Sequence, residues 1–156
     1  MAETAASPKI KPVIEFAREE AERRGDRRIG TDHLLLGLLR DEASAPARAL
    51  GVTLAEGRSA LEAMDLAALA SLGIHLDGTL PAAPAPGRRW ITLNSSARAA
   101  VVGAKQVADS ERKGRRIEGR HLLLSLLGGK HPDPAADLLT ALSVDAGNVR
   151  DRLAAA

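Results

Sequence analysis

Two histidines stand in matching surroundings. His33 opens the run His33-Leu34-Leu35-Leu36-Gly37-Leu38-Leu39, and His121 opens His121-Leu122-Leu123-Leu124-Ser125-Leu126-Leu127; six of the seven positions are identical at an offset of 88 residues. An imidazole could serve as a general base or a metal ligand. Neither histidine, however, has a second ligand three or four residues on, where a helical metal site needs one. Equivalent places in two repeats assign both histidines a structural role. His75 and His131 lie in loop-like sequence and read as surface residues. The chain has 0 cysteines, which excludes disulfides, thiolate metal sites and a cysteine nucleophile. No nucleophile elbow, H-E-x-x-H, G-x-G-x-x-G or calcium loop occurs. Gly129-Lys130 is followed by His131 and preceded five positions earlier by Leu124, so no phosphate loop exists. No catalytic residue, metal ligand or cofactor is assigned.

The remaining candidates for chemistry are basic clusters. Arg23, Arg24, Arg27 and Arg28 precede the first Leu-rich run; Arg112, Lys113, Arg115, Arg116 and Arg120 precede or enter the second. Each flanks an expected helix N-terminus, where backbone N–H groups and the helix dipole favour anions. Glu19, Glu20, Glu22, Asp26, Asp109 and Glu111 dilute the positive field. Without aromatic residues for stacking, nucleic acid is not an expected partner.

The elements that position these residues follow from composition. The chain has 156 residues, 45% hydrophobic and 27% charged, with net charge +2. Phe16 and Trp90 are its only aromatics. A core built from Ala, Leu, Val and Ile calls for closely packed helices. No apolar run reaches the ~18 residues needed to span a bilayer. Met1 to Ser7 lacks the pattern of a secretory signal, so a cytoplasmic location is expected.

The repeat extends beyond the Leu-rich runs. Arg27-Arg28-Ile29 matches Arg115-Arg116-Ile117, and Leu50-Gly51-Val52 with Arg58 and Leu61 matches Leu142-Ser143-Val144 with Arg150 and Leu153. The second offset is 92, which places extra residues within Gly128 to Pro134. The chain therefore reads as one domain over 1–156: repeat one at 7–72, a linker at 73–92 and repeat two at 93–155. Pro81, Pro84, Pro86 and Gly87 make Asp77 to Arg89 an extended segment. Each repeat reads as four helices. The first helix starts near Lys11, since Pro12 deep in a helix would cost about 3 kcal/mol, and turns Val13, Phe16, Ala17 and Ala21 inward. Thr31 is the expected cap of the Leu-rich helix. Short and long helices follow at about Ala45–Leu50 and Thr53–Leu72. In repeat two, Asn94 or Ser95 caps a helix with Ala97, Val101, Ala104 and Ala108 inward. Glu118 or Gly119 precedes the Leu-rich helix, Asp133-Pro134 starts the third and Asp145 caps the last. No strand pattern is present.

The residues Ile29 to Arg40, "IGTDHLLLGLLR", and Ala47 to Leu61, "ARALGVTLAEGRSAL", resemble the N-terminal repeat of Clp-family AAA+ unfoldases of the ClpC and ClpA type. The resemblance covers nearly the whole chain. It implies an all-α fold of two tandem four-helix Clp repeats, packed with pseudo-twofold symmetry and joined by the Pro/Ala-rich linker. It also implies a non-catalytic, protein-binding domain, found here without a phosphate loop: a free-standing N-domain protein or an excised piece of an unfoldase.

Two surfaces carry over from the family. One is a partner and peptide-antibiotic surface on the first helices of the repeats; its matching positions are Lys11, Ile14, Glu15, Arg18, Leu93, Arg98, Val101 and Val102. The family often has Phe where this chain has Ala6 and Leu93, so aromatic anchors are missing. The other surface binds phosphoarginine in some bacterial ClpC proteins, through the Glu of I-G-T-E-H. This chain has Asp32 at that position in repeat one and Arg120 in repeat two; Thr31, Arg28 and Glu118 complete the candidate set. The resemblance thus implies a module that binds a Clp ATPase, adaptor or substrate protein and modulates Clp-dependent proteolysis. The alternative is a small-ligand binder, reading phosphoarginine or sequestering cyclic-peptide antibiotics.

Overall fold

The computed structural model describes residues 7–76 and 91–155. The expected extended segment Asp77 to Arg89 lies outside the described residues. Within them run eight helices: α1 Ile10–Arg24, α2 Thr31–Leu39, α3 Ala45–Leu50, α4 Leu54–Ser71, α5 Ser95–Glu111, α6 Gly119–Leu127, α7 Pro134–Ala141 and α8 Ala146–Ala155. The fold is all-α. Among the described residues, β-type pairing is confined to two isolated bridges, Lys9 with Glu118 and Ile29 with Leu93.

Pro12 is the third residue of α1, where its missing N–H removes no intrahelical bond, so the helix accepts it without kinking. Val13, Ala17 and Ala21 are buried as expected, but Phe16 is not a core residue. Its ring is half-buried and lies 4.9 Å beneath the Arg40 guanidinium. The fully buried Glu20 instead receives Arg58 of α4, which donates to both its carboxylate oxygens. An unpaired carboxylate there would be costly.

The cap of α2 also differs from expectation. Gly30, not Thr31, is the N-cap. The His33 imidazole takes the Gly30 N–H, at 2.8 Å to Nδ1. The Thr31 hydroxyl is committed across the molecule: it donates to Asp133 Oδ1 at 2.8 Å and accepts from the Ala135 N–H at 3.1 Å. A side chain of repeat one thereby helps to satisfy the start of α7 in repeat two. The caps expected at Asn94 and Asp133 form, and Thr53 caps α4. Thr53 Oγ1 accepts from Glu56 N–H, Asn94 Oδ1 from Ala97 N–H and Asp133 Oδ2 from Ala136 N–H.

The Leu-rich helices occupy the centre, with Leu34, Leu35, Leu36, Leu38 and Leu39 of α2 and Leu122, Leu123 and Leu126 of α6 buried. Helix α1 lies on α2 and α5 lies on α6. The halves interlock, with α7 packed on α2 and α4, and α3 packed on α6 and α8. Exchanging the repeats maps each of these contacts onto its counterpart, which is the pseudo-twofold arrangement. The approach of α1 to α2 depends on Gly37, where a Cβ would lie 2.6 Å from the Val13 carbonyl oxygen.

Candidate functional site

The backbone before α5 is held against the loop between α1 and α2. Ile29 N–H donates to Thr92 C=O at 3.0 Å, and Asn94 N–H donates to Ile29 C=O at 2.9 Å. This pairing brings residues 91–94 of repeat two beside α1 of repeat one. Between them opens a groove of about 310 Å³, lined by Ile14, Glu15, Arg18, Ile29, Ile91, Thr92, Leu93 and Arg98. The volume is at the low end of ligand sites, and the lining is mainly apolar. Its charges are partly balanced: Arg18 donates to Glu15 at 2.7 Å and to Glu22 at 2.9 Å. Arg98 donates one amino group to the Leu93 carbonyl at 3.0 Å.

Five of the eight residues expected on the partner surface therefore meet in this groove: Ile14, Glu15, Arg18, Leu93 and Arg98. The other three do not line it. Lys11 is exposed one turn earlier on α1, Val101 packs against the core, and Val102 is 54% exposed on α5. Sequence reasoning missed Ile29, Ile91 and Thr92. The available signal was the β-branched run Ile91-Thr92 just ahead of the Asn94 cap, opposite an isoleucine that recurs as Ile117.

The phospho-ligand candidates fall into two unlike clusters around the histidines. In both, the N-cap N–H donates to Nδ1, which leaves Nε2–H to face a carboxylate. His33 Nε2 lies 2.7 Å from Asp26, and His121 Nε2 lies 3.1 Å from Glu111. His121 is fully buried, as the structural role requires. In repeat one, Arg24 bridges Asp26 and Asp65. The hydrogen bond from His33, then that from Arg24, holds the Asp26 carboxyl below its usual range against the opposing effect of burial. Asp32 stands apart: it comes 3.5 Å from His33 Nδ1, a nitrogen that already accepts the Gly30 N–H.

In repeat two, Arg120 donates from both amino groups to the two oxygens of Glu111, each at 2.6 Å, and from Nε to Glu118 at 2.9 Å. This bidentate pair is the main reason that the Glu111 carboxyl is lowered to about 2, with His121 adding to it and burial opposing it. The five phospho-ligand candidates thus do not converge. Arg28 is exposed, Thr31 is committed to α7, and Glu118 is paired with Arg120. The basic clusters divide likewise. Arg24, Arg115 and Arg120 pair with carboxylates, while Arg23, Arg27, Arg28, Arg112, Lys113 and Arg116 are exposed. Among the described residues no group of His, Asp and Glu could hold a metal ion, and no helix is long and apolar enough to cross a membrane.

Two interlocked helical repeats thus leave an apolar groove at their junction. Residues 1–64 match the family described as the Clp repeat (R) N-terminal domain. "Negative regulator of genetic competence ClpC/MecB" of Bacillus subtilis (strain 168) is 35% identical over 103 residues, 64% of this chain and 12% of that protein. "Chaperone protein ClpC, chloroplastic" of Pisum sativum is 48% identical over 44 residues, 28% of this chain and 5% of that protein. The chain thus spans a small part of the length of these relatives. Among solved structures, the N-terminal domain of the caseinolytic protease associated chaperone ClpD from Arabidopsis thaliana superposes with TM-score 0.67, covering 97% of this chain and 96% of that one at 17% identity. That likeness shows the fold. The first repeat thus matches the Clp repeat (R) N-terminal domain, and the chain as a whole has the fold of a Clp N-terminal domain.

Proposed function

We propose that this protein binds adaptors or substrates of a Clp ATPase, or the ATPase itself, through the groove between α1 and residues 91–98, and so modulates Clp-dependent proteolysis. The observation that carries this reading is the groove's construction. Ile14, Glu15 and Arg18 come from repeat one and Leu93 and Arg98 from repeat two, and together they form the apolar pocket at the junction. Burial of apolar side chains there would supply the affinity, and the charged rim would orient the partner. Purified protein added to a ClpC-type ATPase, its peptidase and a fluorescent unfolded substrate should change the degradation rate. Ile14→Ser and Leu93→Ser should cancel that change. An unchanged rate, together with no measurable binding to ATPase, adaptor or substrate, would overturn the reading.

Asp32 supports a second reading, recognition of phosphoarginine at one site. Its carboxylate has no donor among the described residues, whereas the equivalent place in repeat two is filled by Arg120. A carboxylate pairs strongly with a guanidinium. Calorimetry with free phosphoarginine should then give one site per chain, lost in Asp32→Ala; no heat would remove this reading.

A further inference from the structure

The groove carries a charge that nothing in its own lining answers. Its carboxylate, Glu15, accepts from Arg18 through Nε at 3.3 Å and an amino group at 2.7 Å. Arg98 is exposed, and its guanidinium makes a single hydrogen bond among the described residues, to the Leu93 carbonyl. No carboxylate pairs with Arg98 or with exposed Lys11 among the described residues. Lys11 stands one turn ahead of Ile14 and Glu15 on the same helix face.

The backbone beside Arg98 is also half-used. In the bridge with Ile29, Thr92 C=O and Asn94 N–H face Ile29. By the alternation of an extended chain, the N–H and C=O of Leu93 face the opposite side. The C=O receives Arg98, and the N–H has no partner among the described residues. An apolar pocket, an open backbone donor and an unanswered guanidinium meet at one residue.

On the reading that this groove is the binding surface, we propose that it selects an extended apolar peptide segment bearing a carboxylate. The segment's backbone carbonyl accepts the Leu93 N–H, in the manner of strand addition. Its apolar side chains fill the space among Ile14, Ile29, Ile91 and Leu93. Its carboxylate pairs with the Arg98 guanidinium, and Arg98 is the residue that sets the preference for charge.

Fluorescein-labelled hexapeptides of Leu, Val and Ala, carrying Asp, Asn or Lys at each position in turn, test this by fluorescence anisotropy with the whole chain. In one register the Asp peptide should bind about tenfold tighter than its Asn counterpart, the size of one hydrogen bond to a charged group. The Lys peptide should bind weakest, and the Asp preference should shrink with added salt. Arg98→Gln should bring the Asp-to-Asn ratio close to one, and Arg98→Lys should keep part of it. Ile14→Ser should weaken all three peptides alike. Equal binding of the three peptides, or an Asp preference that survives Arg98→Gln, overturns the proposal and leaves the groove reading standing. No binding of any peptide overturns both.

Discussion

The histidine clusters of the two repeats share a frame and differ at the residue just before the imidazole. In each, a backbone N–H caps onto Nδ1 and Nε2 faces a carboxylate from the end of the preceding helix or the loop after it. In repeat one the preceding residue is Asp32, whose carboxylate finds no donor among the described residues, and Arg24 ties the cluster to Asp65 of α4. In repeat two it is Arg120, which closes on Glu111 and Glu118. Among the described residues, the same scaffold leaves one carboxylate without a cation in repeat one and pairs its charges in repeat two. The two repeats share helices and the histidine caps, and the side chain at one position per repeat sets how each cluster's charges are paired.

The equivalence of the two cores can be broken first. Leu35 and Leu123 occupy matching places and are fully buried. Leu35→Ala and Leu123→Ala should each cost about 2–5 kcal/mol, with the two values close to each other, measured by urea denaturation. A cost below about 1 kcal/mol at either site, outside the range of core leucine truncations, would contradict the central placing of that helix.

The helix pairs should respond less evenly. At Gly37 an added Cβ meets the Val13 carbonyl oxygen, a backbone atom that cannot step aside. Gly37→Ala should therefore cost about 1–3 kcal/mol by overpacking. At the matching place in α6, Ser125 already fits and donates to the Ala100 carbonyl at 2.7 Å. Ser125→Ala removes that bond and should cost about 0.5–1.5 kcal/mol. Equal losses at the two sites would mean that α1 and α5 approach their partners alike.

Acid should separate the clusters further. The Glu111 carboxyl, ordinarily at 4.5, lies at about 2 in the folded chain, so over that interval the unfolded chain binds the extra proton. Its contribution is present above the unfolded value and is lost as the pH falls toward the folded one. Glu111→Gln should thus flatten the acid limb of stability. Asp26 is lowered in the same direction, and Asp26→Asn should flatten it less. Urea midpoints of the three proteins across the acid range decide this; an unchanged limb in Glu111→Gln would remove the Arg120 pair as its source.

The smallest contrast is at the end of the third helix of each repeat. Gly51 closes α3 with φ of 71°, and Ser143 takes the same left-handed turn after α7 with φ of 58°. A side chain is strained there and glycine is not. Ser143→Gly should stabilise by up to about 1 kcal/mol, while Gly51→Ser should destabilise by a similar amount, both read as shifts in Tm.

Much of this architecture was legible in the sequence because it rests on local rules. The caps Asn94 and Asp133 depend on residues within a few positions of one another. The groove's lining was foreseen in part. The resemblance to the family singled out Ile14, Glu15 and Arg18, but the contribution of Ile29 and Ile91 depends on a bridge between segments about sixty residues apart. The features that escaped were all long-range side-chain commitments. Thr31 has the chemistry of a cap, yet its hydroxyl serves α7. Arg120 reads as an open cation, yet it is bound by Glu111, nine residues earlier. Phe16 keeps the helical spacing of a core residue, yet it stacks under Arg40 at the surface.

The central claim is that the groove between the repeats is the binding surface, and amide chemical-shift mapping tests it most directly. The protein, labelled with nitrogen-15, would be titrated with an unfolded substrate of a ClpC-type ATPase. The account predicts that the saturating shifts centre on Ile14, Glu15, Arg18, Ile29, Leu93 and Arg98, and that they vanish in Ile14→Ser. Shifts centred instead on the exposed end of α4, at Leu72 and Ile74, would contradict it.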